Sequence, residues 1–208
     1  MLTKPLVLLG AGGHAVVLLG LIRQLNLSLL GVCDPQLSKE DIKEWQGIPV
    51  LGDDNFLNNI DNGQVELVLG VGQTIGNKIR QSIYQRYTQQ GFIFPALVHP
   101  KAFVDPSAKL GNGVQVMAGA IIQPNVIIEE NVIVNTCASI DHDCLVGSHV
   151  HIAPGATVCG GVRIENGAFI GAGGIVVQEV SIGTDAIVTA GTVLKNSLSA
   201  HQKSSKRN

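Results

Sequence analysis

The sequence predicts an α/β domain over residues 1–95, an all-β parallel β-helix over residues 96–194, and a short tail over residues 195–208. Three observations carry this. Strand-like and helix-like segments alternate before Pro95. A glycine-rich turn joins the first of those strands to the first helix. After Pro95 an aliphatic residue recurs at every sixth position.

The first part opens with "PLVLLG", a short buried strand, followed by "HAVVLLGLIRQLN", a helix, and "LLGVCDP", a second strand. "VELVLGVG" supplies a third strand, and "IGNKIRQSIYQRYTQQG" a helix with a strongly polar outer face. This succession implies a small parallel sheet with helices packed on it.

Between the first strand and helix stand Gly10, Ala11, Gly12, Gly13, His14 and Ala15. GxGxxA in that setting matches the fingerprint of a Rossmann-like domain: small residues admit a pyrophosphate, and the helix start supplies N–H donors. Asp34, nineteen residues beyond Ala15, ends the second strand where a ribose or base contact is expected. A dinucleotide domain needs two such halves and the chain supplies about one. A nucleotide-sugar diphosphate therefore suits it better than NAD. A second glycine turn, Gly70-Val71-Gly72-Gln73, follows the third strand and is expected to flank the same crevice.

The second part follows one rule. From Val98 through Ile140 to Leu194, sixteen consecutive steps of six land on an aliphatic residue, and a small or medium residue lies four positions after nearly every one. Neither an amphipathic helix nor a stack of hairpins sustains that period. It marks a hexapeptide-repeat parallel β-helix, in which three short strands make one triangular coil and stacked coils bury a column of aliphatics.

Composition narrows the function. Hydrophobic residues reach 45% and aromatic ones only 4%, so the core must be built from Val, Ile, Leu and Ala. A formal charge of −2 gives no basic footprint for nucleic acid or an anionic membrane surface. Cys33, Cys137, Cys144 and Cys159 form no CxxC pair, which suits reduced thiols and a cytoplasmic location. From Pro5 to Ile22 the chain is apolar apart from His14. Glycines and a histidine at the middle of that stretch argue against membrane insertion or a signal core.

"SIDHDCLVGSHVHIAPGA" places His142, His149 and His151 within ten residues. Side chains stack on a β-helix face at multiples of eighteen. The separations here are seven, two and nine, so no metal site is expected. Ile140 and Cys144 fall in the inward register, leaving His142 and Asp143 at the outward corner between them. An imidazole oriented by a neighbouring carboxylate on a rigid corner is a general-base candidate. For His149 and His151 a solvated surface position is an equal reading.

The segments "GAGGHA", "LVHPKAFVDPSAKLGNG", "NTCASIDHDCLVG" and "HVHIAPGATVCGGV", in that order, resemble the bacterial sugar O-/N-acetyltransferases that join a small Rossmann-like domain to a left-handed β-helix. These include UDP-4-amino-sugar and GDP-perosamine N-acetyltransferases and sialic-acid O-acetyltransferases. The resemblance covers residues 6 to about 194. It implies a homotrimer that uses acetyl-CoA, without a metal, to acetylate the 4-amino group of a UDP- or GDP-linked sugar. It also implies His142 as general base, tuned by Asp143 where relatives often carry Glu. Asn135 would lie near the reacting sugar, and His151, Gly160, Ala172 and Ala190 along the acetyl-CoA groove, with the Gly160 N–H near the thioester carbonyl. Gly12, Gly13, His14, Asp34 and Gly72 would hold the nucleotide sugar. O-acetylation of a sugar and a non-catalytic nucleotide-sugar-binding trimer are the alternatives, with a zinc hydratase as a third. One departure stands out: the chain ends "LKNSLSAHQKSSKRN", without the GxPAK-like segment that helps relatives hold CoA. Residues 195–208 are expected to fray.

Overall fold

The computed structural model describes residues 4–204. They divide into two compact units at Pro95 and Ala96.

The first unit is built on β1 (Leu6–Leu9), whose four residues are all buried. Burial on both faces explains its unbroken aliphatic run, since helices cover both sides of a parallel sheet. α1 (Gly13–Gln24) leads to β2 (Leu29–Cys33), which pairs parallel with β1. Three elements then appear that hydrophobic periodicity does not announce. They are the short α2 (Pro35–Lys39), the two-residue β3 (Glu44–Trp45), and β4 (Ile48–Gly52), which pairs parallel with β2. Gln46 and Gly47 both have positive φ (52° and 79°), the requirement of the tight turn that folds β3 antiparallel onto β4. β5 (Glu66–Leu69) pairs with the other edge of β1, and α3 (Ile79–Gln89) follows. The strand order is therefore β3-β4-β2-β1-β5. The chain leaves β1 toward β2 on one side and later fills the other side with β5. That is a topological switch point, where open α/β sheets hold ligands beyond the carboxyl ends of their strands.

The second unit is a left-handed parallel β-helix of three sheets. In the first sheet lie Phe103–Val104, Ile121–Ile122, Ser139–Ile140, Thr157–Val158, Ile175–Val176 and Val193–Leu194. The second runs from Lys109–Leu110 through Leu145–Val146 to Ser181–Ile182, and the third from Leu97–Val98 through His151–Ile152 to Ile187–Val188. Each strand pairs with one eighteen residues away. The second residue of each strand enters the core, where Ile122, Ile140, Ile152, Val158, Ile170 and Val188 are fully buried. Each such side chain contributes about 1.5–3 kcal/mol.

A second period of six lies in the corners. From Gly113 to Gly191 every sixth residue has positive φ; half are glycines, and the rest are Asn125, Asn131, Cys137, Asp143, His149, Glu179 and Asp185. In these corners the N–H bonds across to the preceding coil, as Asp143 does to Pro124 and Gly161 to His142.

Residues 195–204 depart from the expected fraying, and residues 205–208 lie outside the described residues. Leu198 bridges Ile182 and Lys203 bridges Ile187, both at a spacing of sixteen rather than eighteen. Leu198 is buried and donates its N–H to the Ser181 carbonyl. Ser204 is buried too, and its Oγ accepts the Thr189 N–H at 3.0 Å. A corner shortened by two residues shifts the repeat phase, so the last partial coil escapes a search at period six. Lys206 and Arg207 lie outside the described residues.

Candidate active site

His142 and Asp143 stand in the corner between the first and second sheets, flanked by the buried Ile140 and Cys144. The Cys144 thiol donates to the Cys159 carbonyl at 3.1 Å, and burial pushes its pKa up to about 11, which keeps it protonated at neutral pH. The positive φ of Asp143 (58°) turns its carboxylate back beside the imidazole. His142 Nδ1 lies 2.7 Å from Asp143 Oδ2, and the His142 backbone N–H donates to Asp141 Oδ1 at 2.8 Å. Asn125, eighteen residues earlier in the same column, donates from Nδ2 to the other carboxylate oxygen, Asp143 Oδ1, at 3.0 Å.

The chemistry follows from this chain of bonds. An ionised carboxylate accepts from Nδ1–H, leaving the lone pair of neutral imidazole on Nε2. The bond to Asp143 raises the His142 pKa above the ordinary imidazole value, and the Asp141 charge adds to it. Asp143 is held below the usual carboxylate range by its bonds to His142 and Asn125. Both side chains are more than half exposed, which leaves the pair accessible from solvent.

Gly160 lies one coil beyond His142. A Cβ there would stand 2.7 Å from both Cε1 and Nε2 of the imidazole, so the ring occupies the space a side chain would take. Among the described residues the Gly160 N–H has no intrachain partner; the same position one coil before His142 is Pro124, which has no N–H at all. His142, Asp143, Gly160 and Gln178 line an open groove of about 610 Å³.

The remaining residues expected in this part fall elsewhere on the prism. Asn135, Ala172 and Ala190 occupy the corner between the third and first sheets, a sheet's width from His142. Asn135 Oδ1 accepts the Thr136 N–H at 2.7 Å. His151 points outward from the third sheet but is buried, its ring stacked on Phe169 at 4.9 Å. His149 is buried as well, with Nδ1 2.9 Å from Asn131 Nδ2. The solvated reading of these two histidines is thereby corrected: each stacks against a side chain one coil away. Among the described residues no cluster of three His, Cys, Asp or Glu is spaced to hold a metal ion.

In the first unit the two glycine turns touch. A Cβ at Gly72 would lie 3.2 Å from the His14 Cβ, and one at Gly70 would lie 2.7 Å from the Gly10 carbonyl. Gly12 and Gly13 face open space. Asp34 caps α2 by accepting from the Gln36 and Leu37 N–H groups, while its Oδ2 accepts from Ala11 N–H at 2.9 Å. It therefore ties the first glycine turn to α2, a role that sequence alone did not assign. Asn125 was also missed; its signal was the spacing of eighteen from Asp143.

Residues 5–87 match the PglD N-terminal domain and residues 107–142 the bacterial transferase hexapeptide (six repeats). PerB from Caulobacter crescentus, solved with CoA and GDP-perosamine, is 33% identical with a TM-score of 0.87, covering 97% of this chain and 94% of that one. The chain belongs to the bacterial sugar acetyltransferase family. The acetyltransferase domain of PglB from Neisseria gonorrhoeae FA1090, solved with acetyl coenzyme A, is 34% identical with a TM-score of 0.88, covering 96% and 95% of the two chains. A GDP-perosamine N-acetyltransferase of Escherichia coli O157:H7 is 32% identical over 104 residues, 50% of this chain and 47% of that protein. The chain thus matches about half the length of that curated relative.

Proposed function

We propose that the chain transfers acetyl from acetyl-CoA to the 4-amino group of a nucleotide-linked sugar. The observation that carries this is the His142–Asp143 pair at 2.7 Å, with the imidazole laid over Gly160. The amine nitrogen attacks the thioester carbonyl while His142 Nε2 takes its proton. The oxyanion is met by the Gly160 N–H. Collapse of the tetrahedral intermediate expels the CoA thiolate, which recovers the proton from the imidazolium. PerB, bound to CoA and GDP-perosamine, and the acetyl-CoA-bound PglB domain support the reading. Whether the nucleotide is UDP or GDP is set by the first unit, through the crevice of Gly12, Gly13, His14 and Gly72.

The working form in this proposal is a cytoplasmic homotrimer. Two observations support a trimer. Phe103 and Ile121 at one end of the first sheet's outward column and Ile175 and Val193 at the other are exposed apolar side chains, with Ser139 and Thr157 between them. Asn135, Ala172 and Ala190 also sit on a different edge of the prism from His142, so a neighbouring copy is needed to bring such an edge to the catalytic corner. No helix among the described residues is long and apolar enough to cross a membrane.

Thiol release from acetyl-CoA with a panel of UDP- and GDP-linked amino sugars tests the proposal. His142→Ala should lower turnover by about 10² to 10⁴ while keeping the fold. Undiminished turnover in that variant removes His142 as the base, and release with hydroxyl sugars alone favours O-acetylation.

A further inference from the structure

Arg80, in the first turn of α3, is only 2% exposed. Its Nη1 donates to two carbonyls at the end of β5, Leu69 at 3.0 Å and Val71 at 2.8 Å. Its Nε and Nη2 are buried without a hydrogen-bond partner, and among the described residues no carboxylate pairs with it. Burial pushes the guanidinium down to about 9, which leaves it charged at neutral pH. An uncompensated buried cation opposes folding, and packing alone would be served as well by Leu or Met. The residue calls for another role.

Peptide geometry supplies one. In a trans peptide the carbonyl and the next N–H point in opposite directions, and the described chain has no cis bonds. With the Leu69 carbonyl held by Arg80, the Gly70 N–H points away and reaches the Leu9 carbonyl at 2.7 Å. With the Val71 carbonyl held the same way, the Gly72 N–H points away from Arg80. Among the described residues it has no intrachain partner. Gly72 abuts His14, at the start of α1, whose N-cap residue Gly12 offers no side chain to cap the helix.

We propose that Arg80 is a positioning residue for the substrate's diphosphate: it aims the Gly72 N–H alongside the first turn of α1, and the bound dianion offsets its buried charge. The inference rests on the nucleotide-sugar reading above. It differs from a phosphate contact, because the guanidinium acts through the turn it clamps and through its field.

The test uses the full chain with UDP and GDP as probes, read by calorimetry, so that it does not depend on acetyl transfer. Arg80→Met should weaken the better-bound nucleotide at least tenfold, and Arg80→Gln at least fivefold. Arg80→Lys should stay within threefold of the parent, and acetyl-CoA affinity should be unchanged in all three. Because a neutral replacement can fail to fold, amide exchange at Gly72 is followed in the parent as well; it should slow on adding the nucleotide. Parental nucleotide affinity in a folded neutral variant, equal loss of both ligands, or unaltered exchange at Gly72 would each overturn the inference. A parent that binds neither UDP nor GDP overturns the nucleotide-sugar reading first, and the role of Arg80 with it.

Discussion

The imidazole of His142 lies against Gly160, so close that a methyl carbon there would stand 2.7 Å from its Cε1 and Nε2. The backbone of Gly160 does not need positive φ, so alanine is tolerated conformationally and the cost falls on the ring. Gly160→Ala should therefore swing His142 off its bond to Asp143 and lower turnover about 10²-fold, the usual penalty for misplacing a catalytic group by an ångström. The thermal midpoint should move little. Steady-state kinetics beside a melting curve check it, and a variant of parental activity would show that the ring has another productive rotamer.

The Asp143 bond also fixes the pH dependence. His142 works as the neutral base, and its pKa is raised above that of a free imidazole, so the rate should climb as pH rises through that elevated value. Asp143→Asn removes the largest cause of the shift. The acidic limb of kcat/KM should then move to lower pH, and the plateau should fall by less than in His142→Ala. Asn125→Ala should move the limb slightly the other way, since the freed carboxylate attracts the Nδ1 proton more strongly. A limb that stays in place in Asp143→Asn assigns the titration to another group.

Asp34 joins two elements, and its loss should register twice. Asp34→Ala removes the cap of α2 and the tether to Ala11, costing about 0.5–2 kcal/mol for the cap alone. The KM for the nucleotide sugar should rise several-fold while that for acetyl-CoA holds. Urea unfolding and two-substrate kinetics separate the effects. A change in stability with no change in either KM leaves Asp34 a purely structural cap.

Truncation after Asn196 should destabilise the β-helix. It strips Leu198 from the core column and the Ser204 hydroxyl from Thr189. Loss of the Leu198 burial alone costs about 1.5–3 kcal/mol. A chain truncated there with an unchanged unfolding midpoint would show that the partial coil adds nothing.

Much of this molecule was legible because the β-helix writes its geometry into the sequence with one number. The inward column from Val98 to Leu194, and with it the outward placement of His142, follow from period six. What escaped did so for physical reasons. β4 contains Pro49 and short runs, and β3 has two residues, so neither leaves a readable alternation. The final coil slipped by two. Arg80 belongs to a helix whose sequence announces only its polar outer face, yet it shares the buried stripe of Tyr84 and Tyr87, four and seven residues on. Charge disguised its burial. His151 and Asn131 were hidden because their burial depends on neighbours one coil away, at a distance no local pattern encodes.

The shortened last corner has one more effect. A β-helix ends in three raw strand edges, each able to template another chain and let copies grow end to end into fibres. Here the register breaks, and the Thr189 hydroxyl bonds the hydroxyls of both Thr192 and Ser204 beside the last partial coil. A second copy arriving with the ordinary eighteen-residue rise meets strands out of step. The slip that hides the last coil from a periodic search also breaks the register a stacking copy would need, and the truncated chain should betray it by sedimenting as polymers.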